Sequence, residues 1–251
     1  MIPRVYCFEL NGQEVLGFDT GLNSQAFAQA KMAQFITQSG LIVHPSGKTE
    51  YWKAGGVCER NGTMVVWGPY FSGETLDRLF KDQIRRDEAL NAVRFWLRAQ
   101  TALEKEDLSF FPGAAGTLIV TGKQANSVYS QGTILFPPER LIKRCLEAEG
   151  DEVIFRAQKW VHPDLKGEEA VVFSAAVMAY TVLSGDSPFL PREHSQKDGD
   201  TLRQDMREGV FTPPRLAIPG LEEKLAEVLY DALEPAKKQE AAGKRRPDPH
   251  T

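Results

Sequence analysis

The first 70 residues alternate apolar and polar side chains over short runs, a pattern that predicts β-strands. The runs RVYCFEL and EVLGFDT flank Asn11-Gly12, and Asn61-Gly62 precedes the apolar run TMVVWG. Asn-Gly pairs favour the tight turns that join antiparallel strands, because both residues tolerate a positive φ. The pattern therefore predicts two hairpins in a β-rich segment.

A helix is predicted to interrupt this segment at residues 24–40. Phe27, Met32 and Phe35 recur at nearly helical spacing. Ser24 is expected to cap the amino end of this helix, and Gly40 is expected to end it.

From residue 71 onward, the hydrophobic spacing becomes mainly helical. A short helix is expected after Ser72, a candidate cap, and the stretch RRDEALNAVRFWLRAQTALEKE predicts a long helix. Two short strands are expected at 116–120 and 132–136, before the helix that PPERLIKRCLEAEG predicts. A final amphipathic helix begins at Leu221, and the charged residues 239–251 are predicted to be a disordered tail.

The segment FSAAVMAYTVLSGDSPF, residues 173–189, is apolar on nearly every side of the helix that it predicts. A helix of this kind belongs in a protein core. Gly185 suits the left-handed residue that ends many helices. We therefore expect a buried helix that stops at this glycine.

Composition narrows the classes of function. Hydrophobic residues make up 42% of the 251 residues and charged residues 25%, which is typical of globular domains. The formal net charge is −4, so no general basic field attracts nucleic acid. Three scattered cysteines form no zinc motif, and no apolar run suggests a secretion signal or a membrane span. We therefore expect a cytoplasmic protein without membrane association.

The order of these elements is similar to that of a protein kinase domain over about residues 10–235. MVVWGPYFSGETL resembles the kinase hinge strand and the helix after it, VHPDLKGEEA resembles the end of an activation loop, and FSAAVMAYTVLSGDSPF resembles the central helix of the large lobe. The resemblance implies an α+β, two-lobe protein kinase-like fold. It would have a reduced β-rich N-lobe with one helix at 1–70, a mainly helical C-lobe at 71–238, and the tail at 239–251.

The groups that kinases use for phosphoryl transfer are missing from the matching positions. Such enzymes need a glycine-rich loop, a lysine–glutamate pair and carboxylates that hold magnesium. Gly12, Gly17 and Gly21 are spaced too widely for that loop, and the first lysine, Lys31, falls in the predicted helix. Residues 20–49 contain no acidic residue that could pair with a lysine.

The stretch that would carry the catalytic loop also lacks catalytic side chains, because residues 108–138 contain no Asp, Glu or His. By resemblance, His-Arg-Asp falls near Phe110-Phe111-Pro112, the metal-binding Asn near Thr117, and Asp-Phe-Gly near Phe136-Pro137-Pro138. Magnesium–ATP would therefore lack its oxygen ligands. Val171 stands where kinases place the aspartate that anchors the catalytic loop.

Other polar residues have ordinary structural interpretations. His162-Pro163-Asp164 is expected in a polar loop that caps the next helix, and Ser184-Gly185-Asp186-Ser187 is expected in a helix stop. The remaining histidines lack metal-ligand spacing. The basic stretches KDQIRR and GKRR are too small for more than weak nucleic-acid binding. Trp67 follows the hinge-like strand and is predicted to fill the nucleotide pocket.

The sequence thus predicts a pseudokinase, a catalytically inactive kinase-like domain that acts as a protein-interaction or scaffold module and has another protein as its partner. No catalytic, cofactor-binding or metal-ligating residue is assigned. One alternative is a sensor that binds a nucleotide or another small molecule in the interlobe cleft without metal. A further alternative is an enzyme of different chemistry, although no paired carboxylates, triad or metal cluster stand out.

Overall fold

The computed structural model describes residues 4–30, 36–80, 86–111, 113, 116–121, 128–150, 157–191 and 197–234. Within these ranges the strands are β1 (Val5–Leu10), β2 (Gln13–Asp19), β3 (Ser39–Val43), β4 (Thr49–Lys53), β5 (Gly56–Arg60), β6 (Thr63–Pro69), β7 (Glu74–Thr75), β8 (Leu118–Ile119) and β9 (Ile134–Phe136). The helices are α1 (Ser24–Gln29), α2 (Leu76–Leu79), α3 (Arg86–Lys105), α4 (Glu139–Glu149), α5 (Gly167–Ser184), α6 (Gly199–Glu208), α7 (Pro214–Ala217) and α8 (Glu223–Leu233).

The first sheet contains both predicted hairpins and has the strand order β1-β2-β6-β5, all antiparallel. Asn11 and Gly12 have φ values of 52° and 78°, and Asn61 and Gly62 have 49° and 81°. These left-handed pairs are the conformation that an Asn-Gly hairpin turn requires. Both predicted hairpins are therefore confirmed.

The second sheet joins strands that are far apart in the sequence, in the order β4-β3-β9-β8-β7. Its centre is the antiparallel pair β3–β9, in which Leu41 lies opposite Phe136 and Val43 opposite Ile134. Strands from both sides of the predicted lobe boundary after residue 70 share this sheet. The division into two lobes at that position therefore stays a prediction.

Helix α5 is the buried centre of the helical half and packs against α3 and α8. Nine of its residues are buried, on all sides of the helix. Gly185 ends it with φ at 81°, in the left-handed conformation. The predicted buried helix and its glycine stop are confirmed. The predicted long helix, the two short strands and the helix after Pro138 also lie where the sequence indicated.

Three details of the predicted helix ends differ in the structure. Gly40 lies in β3, where a Cβ atom would be 2.6 Å from the carbonyl oxygen of Phe136, so this glycine allows a close strand approach. The Asn23 side chain caps α1 by accepting a hydrogen bond from the Ala26 N–H at 2.8 Å, one residue before the expected cap Ser24. Helix α2 begins after Thr75, three residues beyond Ser72.

One continuous hydrophobic core extends from the first sheet, through the second sheet, to helices α3, α5 and α8. A separate cluster on the outer face of the first sheet is centred on Phe8, Val15 and Val65. The fold is thus mixed α+β with two antiparallel sheets. Among the helices in the described ranges, none has both the length and the apolar character needed to cross a bilayer.

Candidate functional site

The positions that the kinase resemblance assigns to catalysis meet in an apolar junction between α3 and β9. The rings of Phe111 and Phe136 lie 6.0 Å apart between centroids, at 55° to each other, and both side chains are buried. Tilted aromatic pairs at this distance stabilise packing. Two of the residues that would carry acid, base or metal-ligand groups therefore contribute hydrophobic contacts instead.

A buried glutamine holds the backbone at this junction. The Phe111 N–H donates to Oε1 of Gln100, and Nε2 of Gln100 donates to the Phe111 carbonyl oxygen, both at 2.9 Å. Gln100 belongs to α3 and is buried. The two hydrogen bonds satisfy a side-chain amide that would otherwise be costly to bury. The segment is thus fixed by neutral hydrogen bonds.

Thr117, at the position that resembles the metal-binding asparagine, also has a structural partner. The indole Nε1 of Trp96 donates to Oγ1 of Thr117 at 3.1 Å, and both side chains are fully buried. The Thr117 hydroxyl reaches the carbonyl oxygen of Gly113 at 3.4 Å. A neutral hydroxyl that is already paired with an indole is a poor ligand for magnesium, which prefers carboxylates and water.

A shallow cleft of about 240 Å³ opens beside this junction. Its lining includes Leu108, Phe111, Phe136 and Pro137, and Glu139 is the one ionisable side chain among its described lining residues. A single exposed carboxylate supplies neither the pair needed for general acid–base catalysis nor a magnesium cage. The cleft therefore has no catalytic constellation in the described residues.

The segment that resembles the kinase hinge has three consecutive carbonyl groups occupied by side chains of the same protein. Nε1 of Trp52 donates to the Pro69 oxygen at 2.9 Å, the Tyr129 hydroxyl to the Tyr70 oxygen at 3.3 Å, and Sγ of Cys7 to the Phe71 oxygen at 3.4 Å. Desolvation raises the pKa of the Cys7 thiol, so it stays protonated and able to donate near neutral pH. These acceptors are already used internally.

Aromatic side chains fill the space between the two sheets beside that segment. Trp52 is fully buried, and its ring meets Phe18 edge-on at 5.2 Å between centroids. A Cβ atom at Gly68 would lie 2.4 Å from the Trp52 ring. Trp67 does not fill this space, contrary to the prediction. It packs on the outer face of the first sheet instead, because the alternation of a strand turns it away from the core.

A second, larger cleft of about 370 Å³ lies between strands β1 and β2 and the segment 70–78. Its lining includes Leu16 and Leu118 as apolar residues, Tyr70 as a polar aromatic residue, and the charged residues Glu74 and Arg78. Arg78 forms no ion pair with any residue in the described part of the chain. The size of the cleft falls within the range of small-molecule sites.

The histidine and serine candidates have structural roles. Nδ1 of His162 accepts hydrogen bonds from the N–H groups of Asp164 and Leu165 at 3.1 and 3.3 Å, and its ring meets Phe173 edge-on. Asp164 forms a bidentate ion pair with Arg207 of α6, at 2.8 and 3.1 Å. The Ser184 hydroxyl donates to the carbonyl oxygen of Tyr180 at 2.9 Å, within the helix stop.

Of the remaining histidines and the basic stretches, the structure describes only His44 and Arg86. His44 contacts the Glu50 carboxylate across a hairpin. His194, His250, most of KDQIRR and all of GKRR lie outside the described residues. Within the described ranges, no group of three or more His, Cys, Asp or Glu side chains could hold a metal ion.

Sequence reasoning missed a surface formed by α7 and α8. Its buried residues Ala226, Leu229 and Leu233 were implied by the predicted amphipathic helix. Leu225 and Val228 are apolar but lie outside that buried stripe and are exposed. Apolar residues on two faces of one short helix were the available signal, because an amphipathic helix with a single partner needs only one.

Comparisons with known proteins give no assignment at this point. No family model matches the chain, and no curated protein matches it.

Proposed function

We propose that this chain is a catalytically inactive, kinase-like module that acts by binding another protein. One observation carries the proposal. The positions that the resemblance gives to catalytic and metal-binding groups hold neutral, mutually packed side chains, Phe111, Thr117 and Phe136 among them. Phosphoryl transfer depends on charged groups that position and neutralise phosphates. An interior without these groups favours recognition through the surface.

The packing of the helices supports the kinase-like part of the proposal. The long helix α3 lies against the buried α5, as the resemblance leads one to expect of the large lobe. Helix α1 contacts strand β6 of the first sheet. A fold resemblance alone carries no function, so the inactive role rests on the side chains described above.

Phosphate transfer is the direct test of inactivity. The purified full chain is incubated with labelled ATP and either magnesium or manganese, and a known kinase is assayed in parallel. We expect no transfer above background. The proposal fails if transfer copurifies with the chain through stringent steps and is lost in Glu139→Gln, which removes the one carboxylate lining the cleft beside Phe111.

Partner binding is tested separately. A tagged full chain is recovered gently from its source, and the complex is weighed by native mass spectrometry. We expect a reproducible heteromeric complex. Repeated recovery of the chain by itself would contradict the interaction role.

A second candidate function, a small-molecule sensor, is favoured by the cleft of about 370 Å³ and by Arg78 at its rim. Thermal unfolding is measured with ATP, ADP and GTP, with and without magnesium, and with Arg78→Gln as the matched variant. A saturable rise above about 2 °C that this variant abolishes would favour the sensor, since a ligand stabilises the state that it binds. We expect no rise with nucleotides, because the hinge-like carbonyl groups are occupied.

A further inference from the structure

Strand β1 forms an edge of the first sheet, so one side of its backbone faces no neighbouring strand of that sheet. At one end of the β1–β2 ladder, the Asp19 N–H donates to the carbonyl oxygen of Arg4 at 2.7 Å, and at the other end Asn11-Gly12 closes the hairpin. Hydrogen-bonded pairs alternate along an antiparallel ladder. The even-numbered residues of β1 therefore bond to β2, and the odd-numbered ones turn their N–H and carbonyl groups outward. The odd-numbered residues are Val5, Cys7 and Glu9.

These outward groups have no partner in the part of the chain that the structure describes. No hydrogen bond between described residues reaches the backbone N–H or carbonyl group of Val5, Cys7 or Glu9. The Cys7 side chain does have a contact, because its Sγ donates to the Phe71 carbonyl oxygen at 3.4 Å. Backbone donors and acceptors need a partner in a folded protein, and at this edge that partner is either solvent or a bound chain.

Four strands form the edges of the two sheets in the described ranges, namely β1, β4, β5 and β7. Edge strands are commonly protected by being short or by carrying charged side chains. Strand β7 has two residues, and β4 and β5 each carry two charged side chains among five residues. Strand β1 has six residues, VYCFEL, and its one charged side chain, Glu9, lies near its end. The longest edge is therefore also the least protected by charge.

The cleft of about 370 Å³ lies along this edge. It is lined by Val5–Cys7 of β1 and by Gly73 and Thr75 at β7, which is the edge strand of the second sheet. The Leu76 N–H donates to the Thr117 carbonyl oxygen at 3.0 Å, so by the same alternation the Thr75 N–H points away from β8. One edge from each sheet thus borders the same cleft, and both present backbone groups that an extended chain can pair with.

The side chains beside the edge favour apolar residues in such a chain. In an antiparallel pair, residues that lie opposite each other share a face of the sheet. A residue opposite Val5 would face Leu16 and Leu118, which line the cleft and are buried. Residues opposite Tyr6 and Phe8 would extend the apolar cluster on the outer face of the first sheet. Both faces therefore suit the β-branched and aromatic residues that strands prefer.

We propose that the β1 edge, defined by the outward backbone groups of Val5, Cys7 and Glu9 and by the cleft beside them, binds an extended segment of a partner protein. The segment is rich in β-branched and aromatic residues and adds a strand to the first sheet next to β1. Strand addition to an exposed sheet edge is a common way for proteins to bind peptides. This inference rests on the proposed interaction role and names the surface and the chemistry of the partner.

Other occupants fit this edge less well. A second copy would offer its own β1, but β2 and the rest of that sheet would approach the cleft with it. Residues 235–251 of the same chain contain three prolines and seven charged residues, a composition that strands avoid. A small ion is not selected by net charge, because Glu74 and Arg78 line the cleft with opposite charges. A single apolar strand meets none of these objections.

The test uses a fluorescent six-residue peptide of alternating Val and Thr, and the same peptide with every amide nitrogen methylated serves as the control. Fluorescence anisotropy measures binding to the full chain. We expect saturable binding of the unmethylated peptide only. Cys7→Pro removes the outward N–H without touching the ladder to β2, and proline is tolerated at such a position of an edge strand. It should weaken binding at least about tenfold relative to Cys7→Ala, which removes the same thiol but keeps the N–H.

Glu59→Pro is the control on the opposite edge. The hairpin at Asn61-Gly62 pairs Arg60 with Thr63, so the Glu59 N–H faces outward from β5, and its replacement should leave binding unchanged. Hydrogen exchange on the unaltered chain gives a second readout that needs no variant. The amides of Val5, Cys7 and Glu9 should exchange rapidly in the free chain and slowly with the peptide bound.

Equal weakening by Cys7→Ala or Glu59→Pro, equal binding of the methylated peptide, or no saturable binding would overturn the docking edge. So would slow exchange of the Val5 and Cys7 amides in the free chain, whether the edge is covered by residues 235–251 or by a second copy detected in size-exclusion data. None of these outcomes alters the phosphate-transfer result or the recovery of a partner, so failure of this edge is distinguishable from failure of the proposed function.

Discussion

The junction between α3 and β9 and the α7–α8 surface are both lined by aromatic and aliphatic side chains, but they differ in how polar groups are used. At the junction, Gln100 and Thr117 are hydrogen-bonded within the protein, and Phe111 packs on Phe136. At the surface, Tyr230 lines the groove between α7 and α8 together with Glu227 and Asp231. The polar groups of the junction are paired inside the protein and stabilise the fold, whereas those of the surface are open to solvent.

The contrast leads to a general expectation about how substitutions in the two regions change stability. Changes at the junction should reduce the free energy of unfolding, because they disturb packed and hydrogen-bonded groups. Changes of exposed side chains on the α7–α8 surface should leave the free energy of unfolding almost unchanged.

The largest effect is expected when a carboxylate is introduced at the junction. Phe136→Asp should lower the free energy of unfolding by at least about 4 kcal/mol, because it removes a buried ring and places a charge in an apolar site. Urea unfolding measures this change, and Phe136→Leu, which keeps an apolar side chain, should cost about 1 kcal/mol. A stable Phe136→Asp chain that gained phosphate transfer would break the comparison.

The next largest effect is expected when the two hydrogen bonds between the Gln100 side chain and the Phe111 backbone are lost. Gln100→Leu leaves the N–H and carbonyl groups of Phe111 without their partners, and we expect a loss of about 2 to 3 kcal/mol in the free energy of unfolding. Thr101→Ala on the same helix is the control, because that side chain is exposed, and its effect should stay within about 0.5 kcal/mol. Similar losses of stability in both variants would show that the Gln100 hydrogen bonds do not stabilise the junction.

An intermediate, pH-dependent effect is expected at Tyr180, which links the core to Thr212 beside the groove. Burial is the largest cause that raises the pKa of Tyr180 to about 12 from 10.0. The unfolded chain therefore loses this proton first. The contribution of Tyr180 to the free energy of unfolding is complete below pH 10. It falls by up to about 2 to 3 kcal/mol as the pH rises toward 12.

Tyr180→Phe tests this assignment. We expect it to cost about 1 kcal/mol near pH 7, since it removes the hydrogen bond to Thr212. Between pH 10 and 12, urea unfolding should show a smaller fall in stability for the variant than for the unaltered chain. An identical slope in the two proteins would exclude Tyr180 as the source of the alkaline loss.

The smallest effect on stability is expected from Val228→Lys. The side chain is 44% exposed, so the free energy of unfolding should change by no more than about 0.5 kcal/mol. Urea unfolding of this variant and of Gln100→Leu measures the difference between the two regions. A loss of stability as large as that in Gln100→Leu would show that Val228 stabilises the fold as the junction residues do.

Local features of the fold could be predicted from the sequence where the local signal agrees with the tertiary contacts. The Asn-Gly turns, the buried α5 and its stop at Gly185 are of this kind. Gly40 was predicted to end a helix, but it lies in a strand. A glycine is needed there because the carbonyl oxygen of Phe136, far away in the sequence, leaves no room for a Cβ atom. Ser24 lost the capping role to Asn23, since both residue types are good caps and only geometry separates them.

The candidate sites were less predictable for the same reason. The missing catalytic groups could be counted in the sequence, but the hydrogen bonds that occupy the hinge-like carbonyl groups come from Cys7, Trp52 and Tyr129, in three separate segments. The α7–α8 groove also depends on how two helices meet. Leu225 and Val228 stand out in the sequence as a second apolar side of α8, but they are not among the residues that line this groove.

The pairing of Leu41 with Phe136 has a consequence for the synthesis of the chain. Strand β3 leaves the ribosome well before β9 is synthesised. The edge of β3 that pairs with β9 therefore has no partner while the intervening segment is made. Pairings between distant residues close slowly, and unpaired strand edges attract other chains in the meantime. Nascent chains that stop short of β9 should therefore be the species that chaperones hold longest.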